Sequence, residues 1–234
     1  MERTNNRITK TKTSSTHEQY KYAGRVLAAL RENISPNRFN TYLKQSSGAH
    51  ELAIQLYTWN IALGGALHGP IQALEVTLRN AIHNALASRH GEFWFHNPNL
   101  LKGNQRNNVH RVKNKLKTQN KQDTSGQLVA ELSFGFWVAL FAKRYDDLLW
   151  RTDLHHIFPS QVNRQELYEQ LDRLRTLRNR ITHHEPILQR DLQTDYEKLL
   201  WILEMLSPEV ASWTSHHSRV LEVIDTDPVK IARF

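Results

Sequence analysis

Apolar residues recur at helical spacing along most of this 234-residue chain, and no stretch alternates apolar and polar residues over the length of a strand. Ser35-Pro36 predicts an early helix start, with the serine as its cap. Gly69-Pro70 predicts a kink or break in the long helical run that begins near residue 50. The clearest i, i+4 series is formed by Leu74, Leu78, Ile82 and Leu86. The chain is therefore predicted to be all-α, with its last six or so helices forming a bundle.

The distribution of apolar positions divides the chain into three predicted segments. Residues 1–15 are polar and lack periodic apolar positions, which predicts a disordered basic tail. Residues 16–214 are predicted to form one all-α domain, and residues 215–234 a C-terminal extension. Within the domain, one helix is predicted over residues 165–184 and the next over residues 191–206. The aromatic segment 133–137 is predicted to be core, with Gly135 allowing a close helix approach.

Composition excludes several classes of function. The chain has no cysteine, which excludes disulfides and thiolate chemistry and favours a reducing compartment such as the cytoplasm. No apolar run is long enough to span a bilayer, and the polar N-terminus lacks the apolar centre of a secretory signal. The 13 histidines include adjacent pairs but no His-x3-His with acidic support. We therefore expect a cytoplasmic protein with no membrane partner, metal or cofactor.

The net charge of +8 is concentrated in two stretches. Residues 1–15 carry four cations against one acid, and residues 102–121 carry seven cations and no acid. Such local basicity favours a polyanionic partner, although a solvated helix face would have the same composition. The second stretch has no aromatic residue, which predicts salt-sensitive binding without strong sequence reading. The candidate RNA-binding residues in it are Lys102, Arg106, Arg111, Lys113, Lys115 and Lys117.

The segment LDRLRTLRNRITHHEPI carries four arginines and two histidines within about three helical turns. Cleavage of RNA by its own 2′-hydroxyl needs a proton acceptor, a proton donor and stabilisation of charge at the phosphate. Histidine can exchange the protons, and arginine matches phosphate oxygens. Asn179 lies four residues before His183, on the same helix face, and can orient a hydroxyl or the imidazole. In the alternative interpretation, the cations offset the helix dipole and the histidines cap the last carbonyls.

Arg178-Asn179-x-x-x-His183 resembles the motif of HEPN ribonucleases. The wider segment LRTLRNRITHHEPI resembles bacterial Abi-like (abortive infection) proteins, a HEPN branch. ALEVTLRNAIHNAL near residue 73, ELSFGFWVAL near residue 131 and the closing LSPEVASW resemble the same branch, so that the likeness covers roughly residues 18–213. It implies a HEPN-type helical bundle with additional N-terminal helices and a homodimer with both motifs at a shared cleft. It further implies a metal-independent endoribonuclease that acts in phage defence or as a toxin.

On this resemblance Arg178, Asn179 and His183 are the catalytic candidates. His184 also falls within the permitted spacing from Arg178 and is an alternative catalytic imidazole. Arg180 would contact phosphate or pack at the helix end.

Glu75 and Arg79 lie one helical turn apart in an earlier segment of the same resemblance. They form either a plain surface ion pair or a support that orients Arg178 or His183 from a neighbouring helix.

Two further functions stay open. The same cations would serve a non-catalytic RNA-binding or regulatory module, and an assembly protein could carry them incidentally. A toxin would also need restraint, for which an antitoxin RNA or protein is the expected partner.

Overall fold

The computed structural model describes residues 24–230, and every regular element within that range is helical. The all-α prediction is confirmed. The predicted disordered tail at residues 1–15 lies outside the described residues. The ten α-helices of the described range are α1 Gly24–Ile34, α2 Pro36–Gln45, α3 His50–His90, α4 Gly103–Thr118, α5 Ser125–Glu131, α6 Phe134–Ala139, α7 Arg164–Thr182, α8 Leu192–Leu206, α9 Pro208–His217 and α10 Val220–Ile224.

Helix α3, with 41 residues, is the axis of the fold. It packs against α6, α7, α8, α9 and α10, and one large hydrophobic core connects these elements. The four leucines that α7 buries against this core recur at intervals of three or four residues, as an apolar helix face requires. They are Leu167, Leu171, Leu174 and Leu177. The same spacing that predicted the helix therefore fixes which side of α7 faces α3.

Of the predicted kink or break at Gly69-Pro70, the break is wrong, because α3 continues through both residues. A proline inside a helix costs about 3 kcal/mol or more. Three large apolar side chains about one turn or less from Pro70 are buried, and each full burial contributes about 1.5–3 kcal/mol. They are Leu67, Ile71 and Leu74. Tertiary packing thus outweighs the local preference of the sequence.

The N-terminal helices α1 and α2 form a second, smaller core with the first turns of α3, built around Phe39, Tyr42 and Ile54. Helix α2 begins at Pro36 as predicted. Ser35, however, makes no side-chain capping bond and has a φ of 73°, so the predicted capping role is wrong.

The aromatic segment 133–137 is core, as predicted: Phe134, Phe136 and Trp137 are buried. A Cβ placed on Gly135 would lie 3.4 Å from Arg175 Cδ, which shows the close approach of α6 to α7. None of the helices in the described range is long and apolar enough to cross a membrane.

Candidate active site

Helix α7 presents the predicted motif at its C-terminal end. Asn163 caps its first turn by accepting from the backbone N–H groups of Gln165 at 2.8 Å and Glu166 at 3.2 Å. The helix ends at Thr182, two residues earlier than predicted, so His183 and His184 lie just beyond it. These two side chains are exposed.

The chain leaves α7 through a Schellman motif. The backbone N–H of Glu185 donates to Arg180 O at 2.8 Å, and that of His184 donates to Ile181 O at 3.1 Å. The motif requires a left-handed residue, and His184 supplies it with a φ of 56°. Glycine is usual there, since a side chain in this region costs about 1–2 kcal/mol. Backbone N–H groups therefore bond the last carbonyls, and no imidazole is needed to cap them.

A cavity of about 390 Å³ lies between α3 and the end of α7. Arg178 lines it from α7, and Glu75 and Arg79 line it from α3. Arg178 Nε donates to Glu75 Oε2 at 3.4 Å, with the two side chains 33% and 21% exposed. Arg79 Nε instead lies 3.4 Å from Asn80 Oδ1. The structure thus places Glu75 against Arg178 from the neighbouring helix, and not against Arg79 one turn away.

The cavity combines two guanidinium groups with one carboxylate, and its apolar wall includes Ile71 and Ile181. An excess of positive charge beside an apolar wall suits a phosphate attached to a larger organic group. His68 also lines the cavity, and sequence reasoning missed it. The sequence offered one sign: His68 lies one helical turn before Gln72 and about two turns before Glu75, within the part of the chain that resembles Abi-like proteins.

The remaining motif residues are placed differently. Asn179, His183 and His184 are not among the residues that line the cavity. The backbone carbonyl oxygen of Asn179 accepts a hydrogen bond from the backbone N–H of His183 at 2.9 Å. Arg180 Nη1 donates to Pro186 O at 2.9 Å, which corresponds to packing at the helix end. The cavity therefore brings together Arg178, Glu75 and Arg79, but not His183 and His184.

Helices α2 and α3 hold the segment after α7 in place. Asn60 on α3 is buried, and its Oδ1 accepts the backbone N–H of Ile187 at 2.8 Å. Arg38 on α2 donates to the carbonyl oxygen of His183 at 3.4 Å. Side chains far away in the sequence thus contact the backbone at His183 and Ile187.

A buried carboxylate on α8 provides a third anchor. Asp195 is 0% exposed and accepts hydrogen bonds from Arg173 on α7 and from Arg190 in the connecting segment. The Arg190 Nε to Asp195 Oδ2 distance is 2.8 Å. Sequence reasoning missed this cluster. The detectable sign was an aspartate within the apolar stripe of α8, between Leu192 and Leu199.

The basic helix α4 buries Val109 and Leu116 and exposes most of its cations. Lys113 pairs with Asp123 at 3.4 Å, and Lys115 pairs with Glu131 at 2.5 Å. The hydrogen bond from Lys115 lowers the pKa of the Glu131 carboxyl. These acids follow the basic stretch in sequence, so counting charges within residues 102–121 overstated the free positive charge.

Three other candidate cations also have local partners. Lys102 Nζ donates to Arg144 O at 3.4 Å, Arg106 donates to Leu101 O at 3.0 Å, and Arg111 donates to Asn108. Lys117 is exposed. An exposed ion pair such as Lys113–Asp123 contributes about 0–1 kcal/mol, so a polyanion can replace the carboxylate.

His83, about two turns before the end of α3, makes a part-buried hydrogen bond. Trp94 Nε1 donates to His83 Nδ1 at 3.1 Å. Burial lowers the pKa of this imidazole, and the charge of Glu92 acts in the opposite direction. In the described range, no group of three or more His, Asp or Glu side chains is arranged to hold a metal ion.

The fold and the cavity define a protein, all-helical over the described residues, in which the long central helix α3 and the end of α7 line a charged cavity. A family model described as Abi-like protein matches residues 13–189, about three quarters of the chain, and the chain belongs to this family. The matched range includes α3 and the whole Arg178–His184 segment, whereas LSPEVASW lies beyond it. Comparisons with curated proteins and with solved structures gave no match. The family points to a role in abortive infection.

Proposed function

We propose that this protein is a metal-independent endoribonuclease of the HEPN type that acts as an abortive-infection effector or toxin. The observation that carries the proposal is the placement of Arg178 in a positively charged cavity, where Glu75 orients its guanidinium. An arginine held in this way can stabilise the charge that develops on a phosphate during cleavage.

The proposed reaction uses the 2′-hydroxyl of the substrate. Its oxygen attacks the adjacent phosphorus and forms a 2′,3′-cyclic phosphate, while the bond from phosphorus to the 5′-oxygen breaks. One histidine accepts the 2′-hydroxyl proton, and a second group donates a proton to the leaving 5′-oxygen. His183 is the favoured imidazole, His184 the alternative, and Asn179 the group that orients the hydroxyl or the imidazole.

A homodimer would complete this arrangement. His183 and His184 are exposed at the end of α7, outside the cavity that Arg178 lines in the same protomer. Two copies that meet at these ends would supply two imidazoles to one composite site. An antitoxin RNA or protein that covers the same surface would restrain the enzyme.

The decisive experiment incubates the purified protein with RNA in the presence of a chelator. Arg178→Ala and His183→Ala are expected to lose cleavage by at least about 100-fold, since general acid–base catalysis and charge stabilisation each contribute that much. Arg175→Ala is the matched control, because Arg175 lies on the same helix but outside the cavity and should retain activity. Undiminished cleavage by both site variants would remove the proposed site.

Product chemistry tests the mechanism separately from the residues. A 2′,3′-cyclic phosphate end and a 5′-hydroxyl end are expected, and a matched DNA should stay intact because it lacks the 2′-hydroxyl. His184→Ala identifies the imidazole: if it abolishes cleavage while His183→Ala does not, the two assignments are exchanged.

Glu75 is proposed as a positioning residue for Arg178. Glu75→Ala should lower kcat/KM by about 10- to 100-fold, the usual effect of losing a supporting partner. Glu75→Asp should recover part of this loss, which a purely structural role would not require. Equal activity of Glu75→Ala, Glu75→Asp and the unaltered protein would show that Glu75 does not position Arg178.

Helix α4 is proposed to bind the RNA backbone through Lys102, Arg106, Arg111, Lys113, Lys115 and Lys117. Binding should weaken steeply with salt, and each cation removed should reduce the slope of log K against log salt by about 1. Lys117→Glu is the sharpest single change. If log K falls with log salt as steeply in Lys117→Glu as in the unaltered protein, α4 does not bind the RNA backbone.

A non-catalytic RNA-binding module is the second candidate, and the position of the histidines outside the cavity favours it. It predicts salt-dependent RNA binding without cleavage and without growth inhibition on expression. The cleavage assay separates the two functions directly.

A further inference from the structure

A second cavity, of about 430 Å³, adjoins the first. Gln72 and Val76 of α3 line both, so the two cavities are neighbours on the same helix. The opposite wall of the second cavity is α9, which contributes Trp213 and Thr214. We call this second cavity the α3/α9 groove.

Trp213 is the most exposed large apolar residue among the described ones, at 59%. Its indole ring lies 5.5 Å from the His217 ring, at an angle of 55°. An indole is normally largely buried, and leaving its faces in water is unfavourable. A flat aromatic surface beside a groove is therefore available to stack on a flat ligand.

The wall of the groove also carries polar side chains. Thr214 is 4% exposed, and its hydroxyl oxygen is shielded from solvent and has no hydrogen-bond partner among the described residues, so it does not face an occupant of the groove. Gln72 and His217 line the groove as well, and an amide and an imidazole match the polar edge groups of a flat ring.

Three arginines lie near the groove, although no Lys or Arg among the described residues lines it. The Arg219 guanidinium lies 4.0 Å from the position that a Cβ on Gly65 would occupy, about one turn before Gly69 at the groove. Arg178 and Arg79 lie in the adjoining cavity. An apolar slot with cations near it matches a nucleotide, whose flat base and charged phosphate lie at opposite ends.

We propose that the α3/α9 groove binds one unpaired nucleobase of RNA, stacked on Trp213, while the neighbouring phosphodiester lies at Arg178. This subsite rests on the proposed ribonuclease function and specifies its substrate as single-stranded RNA, since a paired base cannot leave its stack to enter the groove. Gln72 and His217 meet the polar edge of the base.

The test measures binding to a short single-stranded RNA that carries 2′-O-methyl groups and so cannot be cleaved. Trp213→Leu keeps apolar volume but removes the aromatic face, and it is expected to weaken binding about 5- to 100-fold. Trp213→Phe should recover most of the affinity. Leu221→Ala, at another exposed apolar residue, is the matched control and should bind as the unaltered protein does.

Abasic substitutions identify the base. Moving one abasic site along the RNA should reveal a position that weakens binding to the unaltered protein but not to Trp213→Leu. Gly69→Leu provides a second variant, because a Cβ there would meet no atom within 4 Å and the added side chain would fill groove space. It should weaken binding to the intact RNA and abolish the abasic effect.

The outcomes separate this subsite from the cleavage function. If RNA binds through Trp213 but is never cut, the subsite stands and the ribonuclease function fails. If Trp213→Leu binds RNA normally, or no RNA binds, the subsite is overturned. A groove that instead contacts a second copy would show a change of sedimentation mass in Trp213→Leu and no abasic effect, which would also overturn it.

Discussion

Replacing Asp195 with asparagine should destabilise the fold substantially, although the change keeps the size of the side chain. The Asp195 carboxylate is fully buried and accepts from Arg173 and from two nitrogens of Arg190, at 2.8 and 3.2 Å. Asparagine removes the negative charge and leaves the two guanidinium groups without it. Removing one member of a buried ion pair costs about 3–5 kcal/mol.

The exposure of the two arginines places the expected cost at the lower end of that range. The Arg173 side chain is 41% exposed and can turn to water, whereas Arg190 is 18% exposed and loses its main partner. We therefore expect about 3 kcal/mol for Asp195→Asn. For a domain of this size, about 3 kcal/mol corresponds to a fall in Tm of roughly 6–12 °C.

Thermal unfolding followed by circular dichroism, with urea unfolding beside it, measures this effect. Asp191→Ala is the matched control, since Asp191 is exposed and only caps the start of α8, with its Oδ1 accepting from Thr194 N at 3.0 Å. Its Tm should fall by clearly less than that of Asp195→Asn. Equal effects of the two substitutions, or a Tm of Asp195→Asn within about 2 °C of the original, would refute the reasoning.

Three further predictions concern the elements around the site. Because burial lowers the pKa of His83 below its ordinary 6.5, the free energy of unfolding should be at its full value above about pH 6.5 and should decrease as the pH falls through the folded-state pKa. Urea unfolding at several pH values should show a weaker decrease in His83→Asn, which can still accept from Trp94. His184→Gly should raise the stability by about 0.5–1 kcal/mol, since glycine adopts the left-handed conformation without a side-chain clash. Gly64→Ala should raise it by up to about 1 kcal/mol, because its Cβ would meet Ile181 Cγ2 at an ordinary 3.7 Å.

Each of these predictions has an opposing result. An identical pH dependence in His83→Asn would show that other groups cause the acid sensitivity. A lower Tm in His184→Gly would mean that the imidazole makes a stabilising contact. A lower Tm in Gly64→Ala would mean that α3 and α7 tolerate no added methyl group at their crossing.

The fold was predictable where it depends on local pattern. Helices α7 and α8 carry apolar residues at intervals of three and four, and their predicted and observed bounds differ by at most two residues. The break predicted at Pro70 failed for a physical reason: proline acts on one turn, while the surrounding burial depends on α7, α8 and α9, which lie more than 90 residues later. Such long-range packing has no counterpart in a local window.

The candidate site likewise has residues that the local sequence identifies and residues that only the tertiary structure reveals. The sequence motif identified Arg178 and offered Glu75 as a partner in one of two interpretations. Choosing between them required the placement of α3 beside α7, which a single sequence does not contain. His68, Gln72 and Trp213 were missed as site candidates because nothing in their local spacing distinguishes a groove residue from any other helical one.

The end of α7 shows how distant contacts can impose a local conformation that the sequence disfavours. His184 adopts a left-handed conformation that glycine would adopt at lower cost. The segment keeps this geometry because Asn60, Arg38 and Asp195, on three other helices, form hydrogen bonds with it. Strain of this kind persists only where the surroundings over-determine it, and it concentrates at functional sites. The same anchors hold the backbone from which the exposed His183 side chain extends, as the proposed composite active site requires.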